Sequence, residues 1–546
     1  MFCQIMGCVL WKRYGKCRIL YAYARAINGP RPLFVSMTTL IKNILLIDGS
    51  GQPAVKADVL LKNEKIAAVG LFPRYQADTI IDGMGAYLAP GFIDINTNSD
   101  RYLTIFSDPS QKQFLLQGIT TIIGGQDGLS LAPLLYGSLD LQKFWTDPYA
   151  INVDWHTVED FFDVLRRRPL GVNFGTLVGH STLRHTIIGN DFRDLTAKEL
   201  DVFRSMLAQA MHEGAFGISF DLQSPIASLT PAKEIKLALE TIEKYRGLAT
   251  FKIRSGSDST VHLGDTKEHF VPAVMELINL SKETGARVVI NNFSPLIGLE
   301  ESYRTAIESI EANTANADVH FSMHPFGYSV VPIVSFLPVW AQRGGAEEIL
   351  KNLESPELTA KIITDLSGFS GDDIVIHDAP EFDYLVGKTL RSFGEDRGTT
   401  MPETLLGLMR LTKLRASLVH HNLSLDEFSH ALASDRSFIA SSGDSFEDKR
   451  LRTRLQLFTD SIPAYLGKML AEKPIALEAA IHKLTGLPAQ LLGLKQRGFV
   501  REGYFADLVL FRDAHVETVF VNGAMAVREG AYADVINGRT LIHANE

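Results

Sequence analysis

Short apolar runs ending in polar or turn-forming residues recur from about position 89 to 441. They alternate with segments whose apolar residues return every three or four positions, the spacing of helices that bury one face. The runs at 91–95, 120–124, 173–177, 217–220, 248–253, 287–290, 318–322 and 438–441 predict strands, and segments such as 196–213 and 272–284 predict helices between them. Strands and helices in strict alternation build a parallel sheet, and eight βα units close it into a (β/α)8 barrel. The predicted fold class is therefore α/β.

Both chain ends carry a different texture. Runs at 41–46, 57–62, 65–70 and 79–81, separated by turn residues such as Asp48-Gly49-Ser50-Gly51, read as a β meander. The far end repeats it with 506–511, 516–521, the two-residue turn Asn522-Gly523, and 524–528. Neither piece buries much surface alone, so residues 37–88 and 486–546 are expected to form one composite β domain around a barrel at 89–485. A meander that merely decorates the barrel is the alternative. Residues 324–432 break the βα rhythm and read as a lid-like insertion over the mouth, with a purely structural decoration equally open.

Composition narrows the partners. With 546 residues, 46% hydrophobic and 21% charged, the chain has the make-up of a globular protein. A formal net charge of -9 argues against nucleic acid or an anionic membrane, which call for a cationic face, and leaves small molecules as the expected ligands. All three cysteines, Cys3, Cys8 and Cys17, fall in the opening stretch, so the body holds neither a disulfide framework nor a cysteine-based zinc knot, as suits a reducing cytoplasm. Residues 1–36 form a basic extension in which Lys12, Arg13, Lys16, Arg18, Arg25 and Arg31 precede the first acid, Asp48. Its apolar patches are too short to span a bilayer. Met37 leads directly into a predicted strand, so translation from Met1 and from Met37 are both open.

The chemistry centres on the first barrel strand, where Ala89-Pro90-Gly91-Phe92-Ile93-Asp94-Ile95 ends in Asn96-Thr97-Asn98. Alternation along a strand points Asn96 and Asn98 the same way, at the end where barrel enzymes place their chemistry. The stretch resembles the first strand of the amidohydrolase superfamily, whose Pro-Gly-Phe-x-Asp-x-His-x-His run supplies two zinc ligands. Further runs resemble one branch of it, the D-aminoacylase (N-acyl-D-amino-acid deacylase) family. Among them are Gly179-His180-Ser181-Thr182-Leu183-Arg184, Glu213-Gly214-Ala215-Phe216-Gly217, Leu337-Pro338-Val339-Trp340-Ala341, Leu484-Thr485-Gly486-Leu487-Pro488-Ala489 and Glu502-Gly503-Tyr504-Phe505-Ala506-Asp507. The resemblance implies a barrel that hydrolyses the amide of N-acyl-D-amino acids with zinc and a catalytic aspartate.

Carried over position by position, the resemblance also implies that the zinc ligands are replaced. Asn96 and Asn98 stand for two histidines, Asp127 for a cysteine, Lys252 for a histidine, and Asn292 for another, with Ser294 in place of a substrate-binding lysine. Ser442 takes the place of the catalytic aspartate, with Asp444 two residues on, and His324-Pro325-Phe326 stands for a substrate-binding Tyr-Pro-Tyr. Amide oxygens are weak neutral donors, and an ammonium at position 252 would repel a metal ion. No metal ligand and no cofactor are expected, with Lys252 paired to Asp127 supplying the missing positive charge, supported by Asn96, Asn98 and Asn292. Three readings follow: a deacylase using other ligands, an altered enzyme working through Lys252, Asp127, Asp444 and Ser442, and a non-catalytic descendant binding a ligand or partner. Asn96, Asn98, Asn292, Ser294, His324 and Phe326 are the candidate contacts to a small molecule of the N-acyl amino acid type. His180, His185, His320 and His377 read as structural.

Overall fold

The computed structural model describes residues 37–135, 139–147, 149, 151–189, 191, 193–224, 227, 229–254, 263–443 and 459–543. The basic extension 1–36 lies outside them.

The eight predicted barrel strands are present. They are β1 (Phe92–Asp94), β2 (Ile119–Gly124), β3 (Asn173–Thr176, resuming after Leu177 as Val178–Gly179), β4 (Gly217–Asp221), β5 (Leu248–Lys252), β6 (Arg287–Ile290), β7 (Val319–Met323) and β8 (Ser437–Ile439). Neighbours pair in parallel from β1 to β3 and from β3 to β8. Inside the ring, Ile93, Ile123, Leu177, Leu248, Val289 and Phe438 pack together, joined by Leu487, Leu491 and Leu492 of the helix Gly486–Leu492. The outer helices start at sequence-encoded caps. Thr157 and Thr196 each accept from a backbone amide three residues on, while Asp160 and Glu199 reach back to the cap. The helix predicted at 272–284 begins earlier, at Leu263, and accommodates Pro272 in its interior.

No ladder joins β8 to β1; a side chain closes that seam. The Asp94 carboxylate accepts from the Ser441 amide at 3.0 Å, from the Ser441 hydroxyl, and from the Asn96 amide at 3.0 Å. The Asn98 amide donates to Gly443 O at 2.9 Å. Asn96, Asn98 and Ser442 are thereby drawn to one place.

Strands from both chain ends share a nine-stranded sheet. Its centre is Tyr87–Pro90, parallel to Thr38–Leu46 on one side and antiparallel to Leu508–Arg512 on the other, and it runs straight into β1. A buried network of Arg497, Asp507, Asn522 and Asn173 fastens this sheet to the start of β3. The insertion after β7 folds around its own antiparallel sheet of Ser329–Pro332, Ser417–His420 and Ile374–Asp378. Helices such as Met401–Leu411 cover it, and Ile376, Leu405, Leu406 and Leu418 are fully buried between them.

Candidate functional site at the barrel mouth

The C-terminal ends of the strands bring most of the candidate residues together. Gly125 makes the turn after β2 with φ +73°, where an added Cβ would lie 2.1 Å from Leu177 O, so only glycine passes. The turn delivers Gln126 and Asp127 to the mouth. Gln126 is buried and spans the barrel: its amide donates to Ile95 O, and its Oε1 accepts from Thr250 Oγ1 and Asn291 Nδ2, both at 3.0 Å. Three candidate residues, Asp127, Asn292 and Ser442, have left-handed backbones, with φ of 51°, 50° and 52°. Such conformations cluster where the surrounding structure holds a site in place.

Asn96, Asn292 and Ser442 form a closed triangle. Asn96 Nδ2 donates to Asn292 Oδ1 at 3.0 Å and to Ser442 Oγ at 3.1 Å, and the Ser442 hydroxyl donates to Asn292 Oδ1 at 2.6 Å. Asn98 Nδ2 donates to Ser442 O at 2.8 Å. Three side chains from β1, β6 and β8 therefore bond to one another at the positions where the family resemblance places ligands and the catalytic acid. The Ser442 proton points at an amide oxygen, which is not a base.

Charges gather beside the triangle. Lys252, at the end of β5, pairs with Asp127 Oδ2 at 3.2 Å. Arg101, which the sequence reading did not single out, reaches the same oxygen at 2.9 Å, bonds Gln126 O at 3.1 Å, and lies over the Trp145 ring. The expectation that Asn96 supports the Lys252–Asp127 pair is corrected here: its amide donates to Asn292 and Ser442 instead. Burial works to raise the Asp127 carboxyl, but the Lys252 and Arg101 charges outweigh it and hold it below the usual carboxylate range. Asp221, also unforeseen, ends β4 in register with Lys252. Burial pushes it up to about 6 against the pull of Lys252, and the Asp127 charge adds to the rise. Asp94 is likewise raised by burial to about 6.

The remaining candidates fall nearby in the chain or elsewhere. Ser294 is buried beyond β6, and His324 and Phe326 are buried just beyond β7, Phe326 packing on Tyr328. Asp444 lies outside the described residues. His180 sits away in a buried ion cluster with Glu234 at 2.8 Å, and His320 pairs with Asp318 at 3.0 Å.

The donor set is a poor one for zinc. Zinc takes neutral imidazole, thiolate or carboxylate at about 2.0–2.3 Å, and here Asn96 and Asn292 bond to each other while Asp127 is engaged by two cations. Among the described residues no three His, Cys, Asp or Glu side chains converge as a metal site.

A (β/α)8 barrel with a β sheet from both chain ends and a polar ring at the strands' C-terminal ends is the architecture of the amidohydrolases. The D-aminoacylase crystal structure superposes with a TM-score of 0.73 at 25% identity, covering 92% of this chain and 99% of that one. N-acyl-D-glutamate deacylase from Bordetella bronchiseptica, complexed with zinc and a phosphonate inhibitor, shares the fold with a TM-score of 0.76 at 23% identity, covering 92% and 99%. In sequence the chain is 30% identical to the D-aminoacylase of Alcaligenes xylosoxydans xylosoxydans, over 91% of its own length and 96% of that protein's. It is 29% identical to the N-acyl-D-aspartate deacylase of the same organism, over 92% and 91%. No family model matches. The chain belongs to the D-aminoacylase family.

Proposed function

We propose that this chain is a zinc-free member of its family, which binds a small molecule at the barrel mouth without hydrolysing it. The observation that carries the reading is the Asn96–Asn292–Ser442 triangle, whose members hydrogen-bond one another at 2.6–3.1 Å instead of converging on an ion. The adjacent Lys252 and Arg101 supply two fixed positive charges beside Asp127, which disfavour a dication by like-charge repulsion. Ser294, His324 and Phe326 stand where the resemblance places a cation and two tyrosines for the substrate carboxylate, so N-acyl-D-amino acids are expected to bind weakly. No helix among the described residues is long and apolar enough to cross a membrane, and a cytoplasmic setting accords with the cysteine-free body.

A second reading, a hydrolase of C–N bonds with an altered, metal-independent site, draws on Asp221: a carboxyl raised to about 6 beside a lysine is suited to proton transfer near neutral pH. Two measurements separate the readings. Elemental analysis of dialysed protein is expected to find less than about a tenth of an equivalent of zinc, against the near-stoichiometric ion of a competent structural or catalytic site; stoichiometric zinc would overturn the proposal. A screen of amides, lactams and esters is expected to show no turnover, and chelator-insensitive hydrolysis lost in Asp221→Asn would establish the second reading instead.

A further inference from the structure

Most of the unbalanced groups at the mouth are acceptors. Among the described residues, Asn96 Oδ1, Asn98 Oδ1, Asn291 Oδ1 and Asp127 Oδ1 are buried and accept no hydrogen bond, while Arg101 Nε and the Ser99 hydroxyl are buried donors in the same condition. Asn96 and Asn291 are at most 4% exposed, so bulk water does not satisfy them. Each is a strong acceptor held away from solvent, a condition costly enough that a donor is expected to be supplied. Asp127, after β2, and Asp221, at the end of β4, add two carboxyl groups at the strands' C-terminal ends, and both cations of the cluster converge on Asp127 Oδ2.

Three classes of guest are thus distinguished. A carboxylate brings acceptors to a cluster already rich in them, and a charge that Asp127 and Asp221 oppose. A cation meets Lys252 and Arg101. A neutral group with paired N–H donors fits on both counts. We propose that the mouth recognises a neutral primary carboxamide, its N–H groups donating to the asparagine oxygens with Asn98, the half-buried member, at the entrance. The inference rests on the zinc-free reading of the site and adds to it the chemical class of the ligand.

The test is a matched series on the full chain by calorimetry at pH 7.5: N-acetyl-D-methioninamide, N-acetyl-D-methionine, and the methyl ester of N-acetyl-D-methionine. Amide and ester are both neutral but only the amide has a terminal N–H pair, and the acid adds the charge. The amide is expected to bind about tenfold or more tightly than either, since a site built for N–H groups rejects analogues without them. Asn98→Leu is expected to remove most of that preference, with its unfolding midpoint measured alongside. Acid binding as well as amide, ester binding as well as amide, or no binding by any of the three would each overturn the proposal. Metal content of the same sample keeps the two claims apart: zinc found there sinks the zinc-free reading, while its absence with no amide preference sinks the ligand class alone.

Discussion

Two buried charge clusters in this molecule share a plan and differ in how fully the central carboxylate is engaged. In the first, Glu234 is held by His180 at 2.8 Å and by Arg184 through both oxygens at 2.8 and 2.6 Å, all three groups nearly inaccessible. His180 also lies against the Phe220 ring, and burial keeps its imidazole below the usual value. In the second, Arg101 and Lys252 share one oxygen of Asp127 while the other accepts nothing. A carboxylate bonded through both oxygens specifies structure; one with an oxygen left over holds it ready for another donor. The contrast separates scaffold from site without reference to any relative.

A large effect is expected where the carboxylate is bonded through both oxygens. Glu234→Gln leaves Arg184 buried without its counter-charge and weakens the hold on His180, which should cost about 3–5 kcal/mol, read as a fall in the urea midpoint at unchanged slope. A loss below about 1 kcal/mol would show that the cluster is not a structural keystone.

The mouth should respond less evenly. Asp127→Asn strips two cations of their partner and should also cost about 3–5 kcal/mol. Lys252→Met should cost less, about 1.5–3 kcal/mol, because Arg101 still neutralises Asp127. The double variant leaves Arg101 alone, so it should recover only part of the Asp127→Asn loss, and the two losses should not add. Additive losses would mean that Lys252 and Asp127 do not interact, and a full recovery would mean that Arg101 contributes nothing.

That asymmetry marks how far the sequence could be read. The eight strands were legible because barrel strands buried on both faces are continuous apolar runs, and in the sheets the turn residues punctuate them. Lys252 and Asp127 were legible as a pair because each stands at a strand end given by the family resemblance. Arg101 was not: it lies in the irregular segment after β1, where no periodicity says which way a side chain turns. Its one signal was an Arg three residues past Asn98 in a stretch otherwise lacking basic residues from 66 to 111, save Arg74. Asp221 was hidden for a different reason. A strand-final Asp is common, and its significance arises only from its register with Lys252 on β5. The left-handed backbones at Asn292 and Ser442 were invisible in residue type, serine especially.

Asp221 gives a comparison in pH. Its folded-state value, about 6, lies above the ordinary value of 3.8, so the folded protein holds this proton more tightly than the unfolded chain does. Its contribution is present below about pH 4 and lost as pH rises through 6, by about 3 kcal/mol for a shift of this size. Asp221→Asn has no such loss, so its stability relative to the parent should rise by about 2–3 kcal/mol between pH 4 and pH 8. The difference curve of His180→Gln, in the Glu234 cluster, should show no step at pH 6 arising from Asp221. A flat difference curve for Asp221→Asn would place Asp221 in ordinary solvent contact and remove it from the mouth cluster.

The smallest effect is expected at Ser442, and it tests what that hydroxyl is for. Ser442→Ala removes the donor to Asn292 Oδ1 and the acceptor of Asn96 Nδ2, while Asn96 continues to donate to Asn292, so the net loss should be about 1–2 kcal/mol. Ser442→Gly loses the same bonds but relieves the left-handed backbone at φ 52°, which for a residue with a Cβ costs about 1 kcal/mol. The glycine variant should therefore be the more stable of the two by about that amount, and the amide ligand should bind the two variants alike. A nucleophilic serine would behave differently: both variants would lose all turnover regardless of their stabilities. Alanine equal to glycine in stability would show that position 442 is not held left-handed, and the triangle on which the zinc-free reading rests would then have to be abandoned.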